Sequence, residues 1–172
     1  MYNCSLDDTL IARLEPNWVK RGIRAIQIKD IQPTNFPAFI KPVIPKLFLA
    51  GIFHKPEDFN AVTQGLQDTE AILVADIIRD IQAEARGYIS NGDIADIALY
   101  EGTADLVSGR LFLADFIAKY QAALPAVVVV DIAFSEQLGW FILEFNACWG
   151  AGLNNCEADK VIDCIIGATI NN

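Results

Sequence analysis

Two apolar stretches, VVVVDIA at residues 127–133 and GWFILEFNA at residues 139–147, decide how this chain folds. Each is a short run of aliphatic and aromatic residues, which predicts a strand buried in a sheet. Three polar residues interrupt the two runs: Asp131, Glu144 and Asn146. An ionised carboxylate is costly in a buried strand unless a positive charge compensates it. The interruptions therefore predict a bound cation.

The spacing of these polar residues predicts that they lie together. Glu144 and Asn146 are two positions apart, so both side chains point to the same face of an extended strand. The polar link SEQLG at residues 135–139 allows the two strands to pair as a hairpin, which brings Asp131 to the other two. Oxygen ligands without His or Cys suit Mg2+, with Mn2+ as the alternative, better than Zn2+. A magnesium site in turn favours a phosphate-bearing ligand.

The composition argues against several classes of partner. The 172 residues, 53% of them apolar, suffice for one substantial core or two small lobes. Thirteen basic residues against 22 acidic residues give a net charge of −9, which argues against a nucleic-acid partner. No apolar run approaches the roughly 20 residues of a membrane-spanning helix, and the acids of the N-terminal MYNCSLDDTL are atypical of a signal peptide. We expect a cytoplasmic protein without a membrane partner, and the apolar fraction favours a homo-oligomer.

Residues of zinc, redox or acid–base sites are sparse. The cysteines Cys4, Cys148, Cys156 and Cys164 form no CxxC pair, which favours reduced thiols. His54, the only histidine, follows a predicted strand and is expected at the surface.

Strand and helix signals alternate along the chain. Pro56 with the following acids is typical of a helix start, and Asn91-Gly92 is a strong hairpin signal. Thr103 or Asp105 is expected to cap the longest helix. The predicted elements are a short helix in 5–21 limited by Pro16, antiparallel strands at 38–43 and 47–54, a helix at 56–66, a strand at 71–78, a hairpin at 82–102, a helix at 103–123, the 127–147 hairpin and a helix at 157–169. This order suits two α+β lobes that share a cleft.

The pattern resembles the ATP-grasp superfamily over roughly residues 38–170. Its specific part is Asp131 in one strand and Glu144-x-Asn146 in the next, followed by a glycine-containing loop. A lysine in a strand before proline, Lys41, lies upstream as expected. The resemblance implies that the three polar residues bind one or two Mg2+ ions.

The resemblance also implies the fold and its division. The fold would be α+β, with two lobes of mainly antiparallel sheet that enclose a nucleotide cleft. Residues 1–37 would be a remnant or linker in place of the N-terminal domain of many relatives. Residues 38–75 would form the small lobe, and residues 76–172 the large lobe with the metal site.

Contacts with ATP follow from the same resemblance. Lys41 would contact phosphate or the adenine edge. The backbone of Asp76, Ile77 and Ile78 would hydrogen-bond adenine. Glu84 would bind the ribose.

Two further residues are the catalytic candidates. Arg86 lies on the same strand face as Glu84 and would reach phosphate or an acyl-phosphate intermediate. The loop after Lys41 is short and offers glycine only at Gly51, so Lys46 would act on the phosphates as a point charge.

The implied function is an ATP- and Mg2+-dependent ligase that joins a carboxylate to an amine through an acyl phosphate. Its substrate would be a small molecule, an amino acid or a peptide. Two alternatives remain open: a nucleotide-binding or interaction module without turnover, and a phosphotransferase that uses the same cleft.

Overall fold

Two antiparallel four-stranded sheets form the framework of the chain. The computed structural model describes residues 6–169, which divide into two compact units. The first unit comprises Asp8–Pro16 and Lys20–Arg79. The second comprises Asn17–Val19 and the described parts of Met1–Asp7 and Asp80–Asn172.

The first unit packs one sheet and one helix around a cluster of aromatic rings. Phe59 is fully buried, and its ring lies 5.5 Å from that of Phe53 and 5.8 Å from that of Phe48. The strands are β1 (Ile23–Gln27), β2 (Ala38–Pro42), β3 (Gly51–Phe53) and β4 (Ala71–Ala75), in the order β1-β4-β2-β3. The helices are α1 (Pro16–Val19, mostly in the second unit) and α2 (Pro56–Thr63), with 3-10 turns at Leu10–Arg13, Ile28–Asp30 and Pro33–Asn35.

The second unit is built on the hairpins that the sequence predicts. Asn91 and Gly92 both have positive φ, 52° and 90°, as the tight turn between its first two strands requires. The strands are β5 (Ala83–Ser90), β6 (Asp93–Gly102), β7 (Val127–Ser135) and β8 (Gly139–Asn146), in the order β6-β5-β7-β8. The helices are α3 (Leu106–Tyr120), continued by a 3-10 turn at Gln121–Ala123, and α4 (Ala158–Gly167).

Helices α3 and α4 cover opposite faces of the second sheet. A Cβ on Gly87 would come within 2.5 Å of the Leu113 side chain on α3, so the helix packs directly onto this strand. The next residue, Tyr88, points to the other face and packs in a cluster with Val161 of α4. The charged residues of the predicted site share this second face, because Arg86 alternates with Gly87 along β5.

Most predicted elements are confirmed, with four differences. Asp105, not Thr103, caps α3 and accepts hydrogen bonds from two backbone amides. Strand β4 ends at Ala75, before the predicted end at residue 78. In the described part of the predicted 5–21 helix there are two short turns, and Pro16 starts the second of them because its ring suits the first helical position. Strand β1 has no counterpart among the predicted elements.

Within residues 6–169, no helix has the length and apolar character needed to cross a membrane. The cytoplasmic location and the homo-oligomer stay predictions.

Candidate functional site

The three polar residues of β7 and β8 form one hydrogen-bonded group. Asp131 and Glu144 are direct partners across the two strands. The Asn146 Nδ2 atom donates to Asp131 Oδ2 at 3.1 Å and to Glu144 Oε1 at 3.0 Å. The structure therefore brings the predicted metal ligands together on one face of the sheet.

A bulge in β8 separates these polar residues from the apolar core. Asp131 pairs with Glu144, whereas the next residue, Ile132, pairs with Ile142, so Leu143 is an additional residue in β8. Ile142 is fully buried and joins Ile132 on the α3 face, while Glu144 stays beside Asp131. The sequence does not reveal this bulge, because the alternation of apolar and polar residues in GWFILEFNA fits a regular strand equally well.

Arg86 of β5 lies opposite Asp131 and forms a buried ion pair with it. Its Nε donates to Asp131 Oδ1 at 2.8 Å, and its Nη2 donates to Asp131 Oδ2 at 2.6 Å. Arg86 is 8% exposed and Asp131 1% exposed. This two-point contact is the strong geometry for an arginine and a carboxylate, and it fixes both side chains.

Electrostatic effects on Asp131 oppose one another. Burial raises the pKa of Asp131 to about 6, Arg86 lowers it by its hydrogen bonds and charge, and neighbouring Glu144 raises it. The hydrogen bond to Asp131 in turn raises the pKa of Arg86. At neutral pH both partners are charged. The residual strain comes from two carboxylates that face each other across a strand pair.

This donor set fits a hard divalent cation. The Asn146 amide lies between two carboxylates, where a cation would relieve their repulsion. The amide nitrogen and oxygen are nearly equal in size, so a half-turn of the amide points Oδ1 toward the same place. In the described part of the chain, no group of three or more His, Cys, Asp or Glu side chains could hold a metal ion. The site thus rests on two acids and an amide, a set typical of Mg2+ completed by water and phosphate.

A tyrosine connects the predicted ribose residue to this group. The Tyr100 hydroxyl donates to Glu84, and the Tyr100 ring lies 5.8 Å from Arg86 Cζ. Burial, followed by the hydrogen bond to Glu84, raises the pKa of Tyr100 above its usual range. Tyr100 is the additional residue of another bulge, because Glu84 pairs with Glu101 whereas Ala85 pairs with Leu99. Sequence reasoning missed Tyr100, since a regular hairpin register gives no reason to choose it.

The loop after β8 is attached to the same sheet face. The Gly152 carbonyl accepts from Arg86 Nη1 at 2.8 Å and from the Tyr88 hydroxyl at 3.1 Å. Tyr88 is fully buried. Sequence reasoning missed Tyr88 and Gly152 as well. The signal available for Tyr88 is its position two residues after Arg86, which puts both on one strand face.

The candidates of the first unit are more exposed. Lys41 is half-buried on β2, and exposed Lys46 adopts a left-handed backbone with φ of 66°. Asp76 follows β4, where its carboxylate accepts from the Gly22 amide at 3.0 Å and its own amide donates to the Gly22 carbonyl at 2.9 Å. Ile77 and Ile78 follow it and are half-buried. Their nucleotide contacts stay predictions.

Residues 18–164 match a family of ATP-grasp domains, family 2 of its clade. No curated protein matches this chain.

Several solved structures share the fold. The D-alanine–D-alanine ligase of Bacillus anthracis, solved with ATP, matches 96% of this chain and 66% of its own, with a TM-score of 0.62 and 16% identity. A RimK domain ATP-grasp protein of Sphaerobacter thermophilus matches 93% of this chain and 62% of its own, with a TM-score of 0.61 and 16% identity. The ATP-grasp ligase PsnB, solved with a precursor variant, Mg and ADP, matches 97% and 60%, with a TM-score of 0.53 and 13% identity. This chain thus spans less than two thirds of the length of each of these ligases, and at such identities the likeness shows a common fold.

Proposed function

Because the chain belongs to this family of ATP-grasp domains, we propose that it is an ATP- and Mg2+-dependent ligase that joins a carboxylate to an amine. One observation carries the proposal. Asp131, Glu144 and Asn146 converge on one face of the second sheet as two acids and an amide, the donor set of a magnesium site. The solved structures of similar fold whose names include ligase activity support the same reaction class.

In the proposed reaction, a carboxylate oxygen of the substrate attacks the γ-phosphorus of ATP. The bond from that phosphorus to the β–γ bridging oxygen breaks, and ADP leaves with the electron pair. An amine nitrogen then attacks the carbonyl carbon of the acyl phosphate, the carbon–oxygen bond to phosphate breaks, and phosphate leaves. The amine proton passes to the departing phosphate or to water.

The chain contributes charge and position to these steps. Asp131, Glu144 and Asn146 would hold Mg2+, which when bound neutralises phosphate charge. Arg86 fixes the Asp131 carboxylate through two hydrogen bonds. Preorganised charge of this kind supplies much of the rate enhancement in phosphoryl transfer, with little demand for acid–base residues.

We also propose the nucleotide contacts that the family resemblance implies. Lys41 contacts phosphate or the adenine edge, and Lys46 acts on phosphate as a point charge. Glu84 binds ribose, and the hydrogen bond from Tyr100 supports this by orienting the Glu84 carboxylate. The backbone of residues 76–78 pairs with adenine. The acceptor is a small molecule, an amino acid or a peptide.

The first test is nucleotide binding. ADP with Mg2+ should raise the melting temperature of the purified protein, and Glu144→Gln should abolish the Mg2+-dependent part of this shift. Glu136→Gln is the matched control, because this exposed acid lies at the turn of the same hairpin. No shift in the parent, or equal shifts in the parent and Glu144→Gln, would refute the proposal.

The second test is turnover with a panel of carboxylic acids and amines, followed by ADP release and mass spectrometry. The expected result is ADP release with one acid–amine pair and an amide product of matching mass. Tight nucleotide binding without ADP release across the panel would indicate a binding module. A phosphorylated acceptor without an amide would indicate a phosphotransferase.

A further inference from the structure

We propose that Arg86 is a positioning residue that links the Asp131 carboxylate to the loop after β8, residues 147–156, here called the site loop. The part of this inference that concerns Mg2+ rests on the proposed function. The link itself rests on contacts within the second unit. It assigns to Arg86 a role distinct from direct contact with phosphate.

The guanidinium of Arg86 has a different partner on each side. Nε and Nη2 form the two-point contact with Asp131, and Nη1 donates to the Gly152 carbonyl at 2.8 Å. The group is planar and rigid, so its three contacts are geometrically dependent on one another. A shift of the Asp131 carboxylate therefore changes the position of the donor that holds Gly152.

The site loop needs such a restraint, because its backbone includes two unfavourable conformations in succession. Asn154 and Asn155 have φ of 47° and 69°, in the left-handed region that residues other than glycine rarely adopt. Such conformations persist where surrounding contacts impose them. Arg86 provides two of these contacts, since its side chain donates to Gly152 and its carbonyl accepts from the Cys156 thiol at 3.3 Å.

The loop also begins directly after the third metal-ligand candidate. Asn146 ends β8 and donates to Asp131, so the loop is joined to the carboxylates at its start through the chain and at Gly152 through Arg86. A rearrangement of Asp131 and Asn146 when the site is loaded is thus transmitted to the loop at two points. The loop conformation should depend on whether the site is loaded.

The direct test is hydrogen exchange of the site loop without metal or nucleotide. The Gly150, Ala151 and Cys156 amides donate within the loop and serve as reporters. Arg86→Lys keeps the positive charge, but a single ammonium cannot replace the fork and the third donor, so exchange should be roughly tenfold faster. Tyr88→Phe is the matched control. It removes only the neutral hydroxyl donor to Gly152 and should have a smaller effect.

A double-mutant cycle separates a link from two independent effects. Asp131→Asn should also speed loop exchange in the parent, because Arg86 loses the charged partner that holds it. In the Arg86→Lys background the same change should have little further effect. Equal effects of Asp131→Asn in both backgrounds would overturn the link. Peptides from α2, in the other unit, should exchange at parental rates in every variant and so show that the chain is folded.

Addition of Mg2+ and ADP supplies the second arm. Loop exchange should slow in the parent, whereas Arg86→Lys should still bind Mn2+, measured by electron paramagnetic resonance, without slowing of the loop. A residue with a merely structural role would leave the Mg2+-dependent slowing intact, and that result would overturn the regulatory part of the inference. Failure of the parent to bind Mn2+ refutes the proposed function, while the metal-free cycle still decides whether Arg86 links Asp131 to the loop.

Discussion

The candidate residues of the two units differ in how firmly the fold holds them. In the second unit, Arg86, Asp131 and Asn146 are joined by hydrogen bonds across three adjacent strands. In the first unit, Lys46 is exposed after β2, and Asp76 follows the end of β4. The metal-site candidates are therefore preorganised by a sheet, whereas these first-unit candidates lie in connecting segments.

The difference teaches which kind of site a strand pattern can specify. A buried sheet face orders side chains at every second residue, so charged residues placed there must be compensated and are held rigidly. A residue after a strand end is ordered by local turns alone. We expect substitutions in the second unit to affect stability strongly, and those in the connecting segments of the first unit to affect mainly ligand contacts.

The largest expected effect is on the buried ion pair. Arg86→Met should destabilise the second unit by about 3 kcal/mol or more, because it leaves Asp131 buried beside Glu144 without a positive partner. Urea unfolding followed by tryptophan fluorescence measures this, since Trp18, Trp140 and Trp149, the three tryptophans of the chain, all belong to the second unit.

Lys46→Met is the matched control in the first unit and should leave the unfolding midpoint unchanged. The double substitution Arg86→Met with Asp131→Leu should recover much of the loss, since no buried charge then remains unpaired. A parental midpoint for Arg86→Met alone would contradict the view that the second sheet holds its candidates by buried charge.

A smaller effect should appear at alkaline pH and be confined to the second unit. Cys148, Cys156 and Cys164 are free and buried there, and burial raises the pKa of Cys148 to about 12 and that of Cys156 to about 11. A raised pKa in the folded state means that stability is fully present below the unfolded thiol pKa of about 8.5 and is lost as pH rises above it. The free energy of unfolding should fall by on the order of 1 kcal/mol per pH unit for each such thiol.

Urea unfolding at pH 8 and pH 10 measures this loss, and Cys148→Ala should reduce it. Before unfolding, the three thiols should react slowly with a disulfide reagent at pH 8. Rapid reaction of the native protein would show that the cluster around α4 opens far more easily than its burial indicates.

Sequence patterns predicted the ATP-grasp fold and the convergence of Asp131, Glu144 and Asn146, because both follow from apolar runs, hairpin signals and the two-residue period of strands. The ATP-grasp fold is confirmed by the family match and the solved structures. Strand β1 was missed because IRAIQ carries polar residues and is buried on neither face. Its partnership with β4 depends on a contact between distant parts of the chain.

The register of the site lay beyond sequence reasoning. Bulges at Tyr100 and Leu143 each add one residue to a strand, and neither leaves a compositional mark. The contacts of Arg86 with Asp131 and Gly152 follow from that register and from a loop that returns over the sheet. Spacing along one strand could place Arg86 and Glu84 on a common face, but it could not identify the partner across the sheet.

The smallest expected effect concerns Asp76, at the end of β4. Asp76→Ala removes the carboxylate that accepts from the Gly22 amide and should lower the stability of the first unit by no more than about 1 kcal/mol, because the residue is exposed and the backbone hydrogen bond to the Gly22 carbonyl remains. Hydrogen exchange in β1 and β4 measures this loss. Gly22→Ala is a second approach to the same contact, since a Cβ there would lie 2.7 Å from Asp76 Oδ2 and displace the carboxylate. If either change instead destabilised the chain as strongly as Arg86→Met, the first unit would depend on its connecting segments as much as the second depends on its sheet, and the proposed contrast would not hold.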